Sequence, residues 1–355
     1  MSEFRVLPLG QEKEIQEILS HFSRSDIHYD PRYLKLFANY TKQAALYVHY
    51  KNDAGEILLP FFERALTTID EEFGYKDLLS PWYYGGPIHT FPDLTQAQQA
   101  FKECLQNLDR YCLEHRVISQ FQRLHPLLEN YALYTEMPLP EFNRRIVSID
   151  LTPDIGVIRS RYEYKARKNI ARAARSGLTV VRSNAPEYVK EFIAVYTASM
   201  ARKETGTFYY FNQEFWNELF GSFPHEAQLF TVYAGKNVAA SSLVLGSGTI
   251  LHDYLRGTYP QYLSMRPNDF VIDAIVSWAK DVGYREYSLQ GGHAIAGDDS
   301  LFRFKKSFSP LTKDFYIYRR VHDKEAYTKR CIAEGKDPSS LQYETANPFP
   351  EYNTT

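Results

Sequence analysis

The sequence has few cysteines, almost no net charge and no long apolar run, and each shortage excludes a class of protein. Its three cysteines, Cys104, Cys112 and Cys331, are too few and too scattered for a disulfide framework or a paired-cysteine metal site. Lys and Arg total 41 against 43 Asp and Glu, so the net charge of −2 excludes a strongly basic nucleic-acid coat protein. The least polar stretch, Val238 to Leu251, is interrupted by Ser and Gly and is too short to span a bilayer.

The opening letters MSEFRVLPLG lack the charged-then-apolar pattern of a secretory signal. Together with the sparse cysteines, this predicts a cytoplasmic protein in a reducing compartment, with no membrane span. Hydrophobic residues make up 44% of the 355 residues, which is enough for two globular domains. The 28 tyrosines suit clefts for polar, partly apolar ligands such as sugars and nucleotides, although core-filling tyrosines are at least as common.

Alternating segments on either side of turn residues predict one β-hairpin in each half of the chain, around NDAG at 52–55 and GKN at 235–237. Each hairpin is followed by a further strand, a loop, an amphipathic helix and another strand; the corresponding pieces are Leu78–Leu124 and Thr249–Leu289. This repeated order predicts two similar α/β domains, 1–150 and 151–310. A tail, 311–355, is expected to pack back on the first domain and to be loosely packed from Glu334 onward.

The segment Ile158–Ser176 predicts one continuous helix that ends at Gly177. Its basic residues are spaced four, three, four and three apart, which places them on one helix face: Arg161, Lys165, Lys168, Arg172 and Arg175. Two interpretations remain open for this face. It is either an ordinary solvated surface or a phosphate-binding surface for a nucleotide diphosphate or an RNA backbone.

The polar segment LHDYLRG at 251–257 is predicted to be a strand that carries the catalytic residues. Alternation places His252, Tyr254 and Arg256 on one face and Asp253 and Leu255 on the other. His252 or Asp253 is a candidate general base, and a purely structural hydrogen bond is the alternative for either side chain.

Three shorter segments add candidates around this strand. Arg266-Pro267-Asn268-Asp269 opens a helix whose free N–H groups would hold a phosphate, or it is simply a helix cap. Gly291-Gly292-His293 follows a predicted strand, and Phe304-Lys305-Lys306 follows a helical segment. The glycines of YYGGP at 83–87 allow either close approach to a ligand or a tight turn.

These pieces occur in the order YGGP, RYEYKARKNIARAARSG, HDYLRG, RPNDFVIDAIVSWAKDVGYREYSLQGG and SLFRFKKSF. The order resembles the Fem-like branch of the GNAT acyltransferase superfamily over most of residues 80–310. That branch includes the peptidoglycan bridge ligases and the nucleotide-sugar N-acyltransferases of surface polysaccharide pathways. The resemblance implies an α/β (α+β) fold of two tandem GNAT-like domains, each a mixed, mostly antiparallel sheet flanked by helices.

The resemblance also implies roles for individual residues. An acyl thioester would lie between two splayed strands, Thr249–Tyr259 and Arg285–Leu289, and its carbonyl would be polarised by backbone N–H groups near Leu255 and Gly257. The start of the helix Asp269–Val282 would hold the coenzyme A pyrophosphate. The usual glycine-rich loop reads Gln261-x-x-Ser264-x-Arg266 here, so Arg266 would supply the charge. Together with Leu255 and Gly257, the implied cofactor-binding residues are Arg266, Asn268 and Asp269.

Lys305 matches the Lys of the family's Phe-Lys motif near the transferred acyl group and joins Asp253 and His252 as a candidate catalytic residue, with His293 as the third choice of base. The candidate substrate-binding residues are Tyr84, Arg161, Lys165, Lys168, Tyr209, Tyr254, Arg256 and His293.

The leading hypothesis is a bacterial N-acyltransferase that moves an acyl group from acyl-CoA to the amine of a nucleotide-linked amino sugar. The sugar would be carried on dTDP or UDP and would feed a surface polysaccharide such as lipopolysaccharide O-antigen or capsule. Acyl-CoA is the expected co-substrate, no metal is expected, and a homodimer is one expected assembly. One alternative is an aminoacyl-tRNA-dependent peptidoglycan bridge ligase, the only case in which nucleic acid is an expected partner. Another is a non-catalytic GNAT-like binding module.

Overall fold

The computed structural model describes residues 2–66, 74–203, 207–292 and 299–353. The strands, in chain order, are β1 (Glu3–Pro8), β2 (Ala44–Asn52), β3 (Gly55–Ala65), β4 (Lys76–Leu79), β5 (Ile88–His89), β6 (Val117–Arg123), β7 (Glu141–Asp150), β8 (Leu178–Arg182), β9 (Ala227–Ala234), β10 (Asn237–Ser247), β11 (Ile250–Thr258), β12 (Glu286–Gly291) and β13 (Thr312–Val321). The α-helices are α1 (Glu12–Ser20), α2 (Pro31–Thr41), α3 (Leu94–Glu114), α4 (Ile155–Ser160), α5 (Tyr164–Arg175), α6 (Pro186–Lys203), α7 (Gln213–Ser222), α8 (Pro267–Asp281), α9 (Ser300–Lys306) and α10 (Lys324–Ala333).

The chain divides into two compact units. Unit 1 is Met1–Asn143 with Asp314–Thr355, and unit 2 is Arg144–Lys313. Each unit holds a mostly antiparallel mixed sheet flanked by helices, which confirms the predicted fold class. The predicted domains, 1–150, 151–310 and the tail 311–355, stay predictions beside this division.

Unit 1 is built around the strand order β1-β2-β3-β4-β6-β13, with β5 paired to β3. The predicted hairpin is present, since β2 and β3 pair antiparallel from Ala44↔Glu63 to Asn52↔Gly55. Strands β4 and β6 pair in parallel and are connected through α3, whose first turn is capped when Gln96 N–H donates to the Asp93 carboxylate. The core between α3 and this sheet is apolar and fully buried.

Unit 2 has the strand order β7-β12-β11-β10-β9-β8. Here the one parallel pair is β11 with β12, and α8 connects them. Each unit therefore contains one β–α–β element with a parallel pair in a sheet that is otherwise antiparallel. Helices α5 and α8 bury apolar faces in the core of unit 2, and α6 packs against β10 and β11.

The C-terminal segment is more ordered than its polar composition predicts. It contributes β13, which pairs antiparallel with β6, and the helix α10. Beyond α10, the Tyr352 hydroxyl donates to the buried Asp77 carboxylate at 2.5 Å, and Glu351 N–H donates to the Tyr327 hydroxyl at 2.8 Å. The expectation of loose packing from Glu334 onward is therefore wrong for Glu351 and Tyr352, because tyrosine hydroxyls supply hydrogen bonds that the composition does not reveal.

The predicted helix Ile158–Ser176 is wrong in one respect, because the structure breaks it after Ser160 into α4 and α5. Tyr162 turns inward at the break and packs edge-on against the buried Phe308. Glu163 N–H then donates to the Ser307 carbonyl at 2.8 Å. Arg161 lies in this break, so it does not continue the helical face that carries the other cations.

Within the described ranges, no helix is long and apolar enough to cross a membrane. The three cysteines are free thiols and are buried.

Candidate active site

The parallel strands β11 and β12 pair over only three positions and then separate. The pairs are Ile250↔Glu286, Leu251↔Tyr287 and His252↔Ser288. Both strands continue beyond this point, to Thr258 and Gly291. The pairing of β11 with β10 shifts by one residue between Asp253 and Leu255. The pairing of β12 with β7 shifts in the same way between Ser288 and Gln290. Because bulges bend strands, these two irregularities explain why the strands part at the level of His252.

The bulge on β11 corrects the predicted arrangement of polar side chains. Leu255 pairs with Leu243 and Asp253 with Val244, which leaves Tyr254 as the extra residue. Asp253 and Arg256 consequently reach each other, and Arg256 Nη2 donates to Asp253 Oδ1 at 2.8 Å. Simple alternation had placed these two side chains on opposite faces, which is wrong because it assumed a regular strand.

The Asp253–Arg256 pair is part of a small polar group. Arg256 Nε donates to Ser242 Oγ on β10 at 2.7 Å. Tyr287 on β12 is fully buried; burial and Asp253 raise the pKa of its hydroxyl, and Arg256 lowers it. Sequence reasoning did not select Tyr287 or Ser242. The available signal for Tyr287 was a tyrosine in the middle of a short central strand, whose hydroxyl needs a polar neighbour.

Gly257 marks the place where α6 touches β11. A Cβ atom on Gly257 would lie 2.6 Å from backbone atoms of Val195 and Tyr196 in α6. The next residue confirms the close approach, because Thr258 N–H donates to Ser199 Oγ in the same helix at 2.8 Å. Glycine is therefore needed here for helix–strand packing, whatever role its backbone has toward a ligand.

The start of α8 is occupied by the protein's own groups. Pro267 is the first helical residue and has no N–H, and the preceding Arg266 is in the left-handed region with φ 65°. Asn268 Oδ1 accepts from the Thr258 hydroxyl at 2.8 Å. Asp269 is 4% exposed, and Asn169 Nδ2 on α5 donates to its carboxylate at 2.9 Å.

Burial raises the pKa of Asp269, while Asn169 and Arg266 act in the opposite direction. A buried carboxyl group therefore sits in the first turn of α8, where the resemblance implied a pyrophosphate.

Helix α5 presents its cations to solvent while its other face is fixed to α8. Lys165, Lys168, Arg172 and Arg175 are exposed. Asn169 is hydrogen-bonded to α8 as described, and α4 is fixed to the same helix by a two-bond Arg159–Asp273 pair with both distances 2.9 Å. The structure thus keeps four of the five predicted cations on one helix.

Arg161 has a different environment from those four cations, because its Nη1 lies 3.3 Å from Asp150 Oδ2. Burial raises the pKa of Asp150, but its bonds with Thr152 and Arg161 outweigh this effect and lower it.

The remaining predicted catalytic residues lie beside the opening. His252 is fully buried, and its Nδ1 is 3.1 Å from Gln290 Nε2, on the residue of β12 that has φ 64°. Lys305 on α9 donates from Nζ to the Gly291 carbonyl at 2.6 Å. Burial raises the pKa of Glu286 at the start of β12, against the lowering effect of its hydrogen bond with Ser148.

Tyr209 and His293 are two further predicted site residues in the sequence of unit 2. Tyr209 is half-buried, and its carbonyl accepts from the Tyr196 hydroxyl at 3.1 Å. His293 lies outside the described residues.

Tyr84 belongs to unit 1 and lies in a loop that follows the end of β4 at Leu79. Hydroxyls hold the backbone of this loop: Tyr33 donates to the Trp82 carbonyl and Tyr29 to the Gly85 carbonyl, both at 2.9 Å. The Tyr84 ring lies 5.0 Å from the ring of His125 and 5.4 Å from that of His28.

The two histidines beside Tyr84 share one carboxylate. His28 Nδ1 is 2.8 Å and His125 Nε2 is 2.6 Å from Asp26 Oδ2, and all three side chains are fully buried. These are metal-ligand types. However, Leu128 N–H donates to His125 Nδ1, so a neutral His125 carries its proton on Nε2 and donates it to Asp26. The hydrogen bonds therefore favour a structural cluster that supports the Tyr84 loop, and the prediction that no metal is used stays a prediction.

Comparison with known proteins identifies the domain. Residues 160–306 match the family model described as an acetyltransferase (GNAT) domain. A search of curated proteins finds no match.

Among solved structures, the chain resembles the crystal structure of FemX with a TM-score of 0.62 and 13% identity, over 88% of this chain and 96% of that one. Two others have TM-scores of 0.49. A conserved protein of unknown function from Bacteroides thetaiotaomicron is 11% identical, over 89% of this chain and 99% of that one. A tandem GNAT protein from the clavulanic acid biosynthesis pathway is 7% identical, over 90% and 99%.

The GNAT domain match confirms that the chain is an acyltransferase. The likeness to FemX shows a shared fold, and structures with TM-scores under 0.5 add nothing to it.

Proposed function

We propose that this GNAT-type acyltransferase takes an aminoacyl group from the ester of an aminoacyl-tRNA and transfers it to the amine of a peptidoglycan precursor. The Fem-like resemblance implies two classes of donor, acyl-CoA and aminoacyl-tRNA. The observation that carries the choice is the first turn of α8, where Pro267 offers no N–H and the carboxyl of Asp269 is buried. A helix start binds pyrophosphate through free N–H groups and a positive field, and both are reduced here.

The surface of α5 supports a polyanionic donor. Lys165, Lys168, Arg172 and Arg175 are exposed, and among the described residues none of them has an ion-pair partner. Tyr164, at the start of the same helix, is 73% exposed. Cations next to an exposed aromatic ring suit a nucleic acid, because phosphates pair with the cations and a base stacks on the ring.

The opening between β11 and β12 provides a backbone N–H donor for the ester carbonyl. Tyr259 N–H donates to the Ala239 carbonyl in β10, and N–H directions alternate along a strand, so the Arg256 N–H points away from β10. That is the side on which β12 has separated. We assign this N–H to the ester carbonyl, where it would stabilise the oxyanion that forms when the amine attacks.

The transfer needs one proton to move. The neutral amine adds to the ester carbonyl, a new C–N bond forms, and the C–O bond to the ribose breaks. The amine loses a proton and the departing ribose oxygen gains one. Asp253 and His252 are the candidate bases; Asp253 is held by Arg256 and His252 by Gln290. Lys305, which is bonded to the Gly291 carbonyl, is assigned to positioning the end of β12.

The test is direct transfer from two donors. The full-length protein is incubated either with aminoacyl-tRNA and a peptidoglycan precursor or with short acyl-CoAs and nucleotide-linked amino sugars. Aminoacyl transfer from tRNA, without thiol release from acyl-CoA, is the expected result. Thiol release that depends on an amino sugar, with no transfer from tRNA, would refute the proposal.

A charge variant tests the role of α5 separately. Neutralising Lys165, Lys168 and Arg172 should weaken tRNA binding. The plot of log affinity against log salt concentration should become less steep by about 2, because each lost phosphate contact contributes about 0.7 to 0.9 to the steepness. The matched control neutralises three exposed lysines of unit 1: Lys13, Lys324 and Lys329. If both triple variants show the same dependence of tRNA affinity on salt, the cations of α5 form an ordinary solvated surface and do not bind tRNA.

A second candidate is transfer from acyl-CoA to a nucleotide-linked amino sugar. One observation favours it: Arg266 Nε is buried at the start of α8 and has no hydrogen-bond partner in the part of the chain that is described. A phosphate beside Arg266 would satisfy that donor. The donor assay above separates the two candidates.

A further inference from the structure

Unit 1 contains a cavity that the acyl-transfer site does not use. It has a volume of about 450 Å³ and is walled by the segments 87–94 and 128–133. Arg24 and Ser23 lie on a third side. The cavity is large enough for a small organic molecule.

Most polar groups of the cavity wall are already engaged. Thr90 Oγ1 accepts from Glu56 N–H at 2.8 Å, and Asp93 Oδ1 accepts from Gln96 N–H at 3.0 Å. Asn130 Nδ2 donates to the Gly85 carbonyl at 2.8 Å, and Asn130 Oδ1 accepts from His125 N–H at 2.8 Å. These bonds make the wall rigid.

Two side chains in the wall stand apart from these bonds. His89 Nδ1 is buried and has no hydrogen-bond partner within the described residues, and Arg24 is an exposed cation of the same wall. A buried ring nitrogen without a partner is costly, and a cavity lined by such a group is a candidate ligand site.

The electrostatics around His89 are mixed. Burial lowers the pKa of the His89 ring, an interaction with the Phe91 backbone raises it, and the Arg24 guanidinium lowers it. Asp93 and Glu129 are the acidic residues of the cavity wall. On the neighbouring strand β3, the Glu56 carboxylate is already bonded to His49 at 2.9 Å and paired with Lys51 at 3.0 Å. Because the net shift of this pKa is downward, the ring is neutral near pH 7.

We infer that this cavity binds a small organic molecule through a single carboxylate group, held by the Arg24 guanidinium and by His89 after its Nδ1 takes up a proton from solvent. A guanidinium pairs with both oxygens of a carboxylate, and a protonated ring adds a third charge-assisted donor. Binding is coupled to proton uptake, so affinity rises as the pH falls from the pKa of the ligand-bound ring toward the lower pKa of the free ring. The site is independent of the proposed acyl transfer.

The charge of the wall selects a monoanion. Asp93 and Glu129 would repel a dianion such as sulfate more strongly than a monoanion, while one guanidinium balances one carboxylate. The ligand class is therefore a monocarboxylate, which includes simple organic acids and the carboxyl end of an amino acid or peptide.

The experiment follows the His89 ring by NMR in the full-length chain with labelled histidine. The protein has ten histidines, and the signal lost in His89→Gln identifies the ring. Acetate and glycine are titrated at constant ionic strength against chloride. Both should raise the pKa of the His89 ring in a saturable way, and acetate affinity should increase as the pH falls.

Arg24→Gln should weaken acetate binding by about tenfold or more, since it removes a charge-assisted pair. The matched control is Arg110→Gln, an exposed arginine on α3 that is outside the cavity wall. The inference is overturned if neither acetate nor glycine moves the His89 signal, if Arg24→Gln and Arg110→Gln bind these ligands equally, or if sulfate binds more tightly than acetate. If only glycine binds, the site recognises an amino acid, and the simple-acid class is rejected.

Discussion

Replacing Gly257 by alanine tests the packing on which the opening between β11 and β12 depends. The new Cβ would lie 2.6 Å from the Tyr196 nitrogen and from the Val195 carbonyl carbon and oxygen. All three are backbone atoms, so no side-chain rotation relieves the contact. Either α6 or β11 must move by about 1 Å to reach an ordinary carbon contact distance.

The cost of that movement follows from known overpacking effects. Extra atoms in a packed core cost about 1 to 3 kcal/mol, and contacts with backbone belong at the upper end. With a urea dependence of about 1 to 3 kcal/mol per molar, the unfolding midpoint of unit 2 should fall by about 1 M. If β11 moves, turnover should also fall by about 100-fold, since a misplacement of about 1 Å at a reacting centre costs that much.

The assay is urea unfolding followed by tryptophan fluorescence in a Trp82→Phe background. The chain has three tryptophans, and the remaining two, Trp216 and Trp278, both lie in unit 2. Gly221→Ala on α7 is the matched control, because a Cβ there meets nothing within 4 Å. It should raise stability by about 0.5 to 1 kcal/mol, the usual gain of alanine over glycine in a helix. Equal midpoints for Gly257→Ala and the parent would refute the described contact between α6 and β11.

Two other substitutions test the site itself. Asp253→Asn removes the charge that Arg256 faces and should lower turnover by about 10²- to 10⁴-fold while circular dichroism stays unchanged; full turnover would remove Asp253 from the role of base. Asp269→Asn should change the pH dependence of stability. Burial raises the pKa of Asp269, so the folded state binds this proton more tightly than the unfolded chain, and stability falls as the pH rises from the ordinary Asp pKa through the raised one. Urea unfolding between pH 3 and 8 should show a larger loss of stability with rising pH in the parent than in Asp269→Asn, and identical profiles would contradict the buried environment of Asp269.

The sequence predicts correctly those elements whose signals, such as turn residues, helix caps and periodicity, lie within a few residues. Both hairpins were predicted because NDAG and GKN mark their turns, and both hairpins form. The amphipathic helix predicted within Leu78–Leu124 forms as α3, and the structure shows Asp93 as its cap. Turn chemistry, capping and periodicity are each decided within a few residues, so sequence alone reports them.

The errors come from tertiary contacts that override a local pattern. The run Ile158–Ser176 has helical periodicity throughout, but the helix breaks at Tyr162, which turns inward and packs edge-on against Phe308. The strand β11 alternates in sequence, yet its bulge at Tyr254 brings Asp253 and Arg256 to the same side. Neither event has a signal within the segment itself.

Many residues of the candidate site could be predicted from the sequence, but their arrangement in space could not. The polar strand was selected because charged side chains in a central strand need partners. Its hydrogen-bond partner Ser242 and its buried neighbour Tyr287 come from two other strands and could not be assigned without the sheet register. The same holds for Asn169, whose bond to Asp269 joins residues 100 positions apart.

The order of the units along the chain has a consequence for synthesis. Unit 2 is an uninterrupted segment, whereas unit 1 begins before it and is completed after it. The partner of β6, the strand β13, leaves the ribosome after nearly all of unit 2, and so does Tyr352, which satisfies the buried Asp77 carboxylate. A nascent chain therefore carries a finished unit 2 while one edge of the first sheet is still bare. That edge is a site where a chaperone would bind or where two unfinished chains would pair.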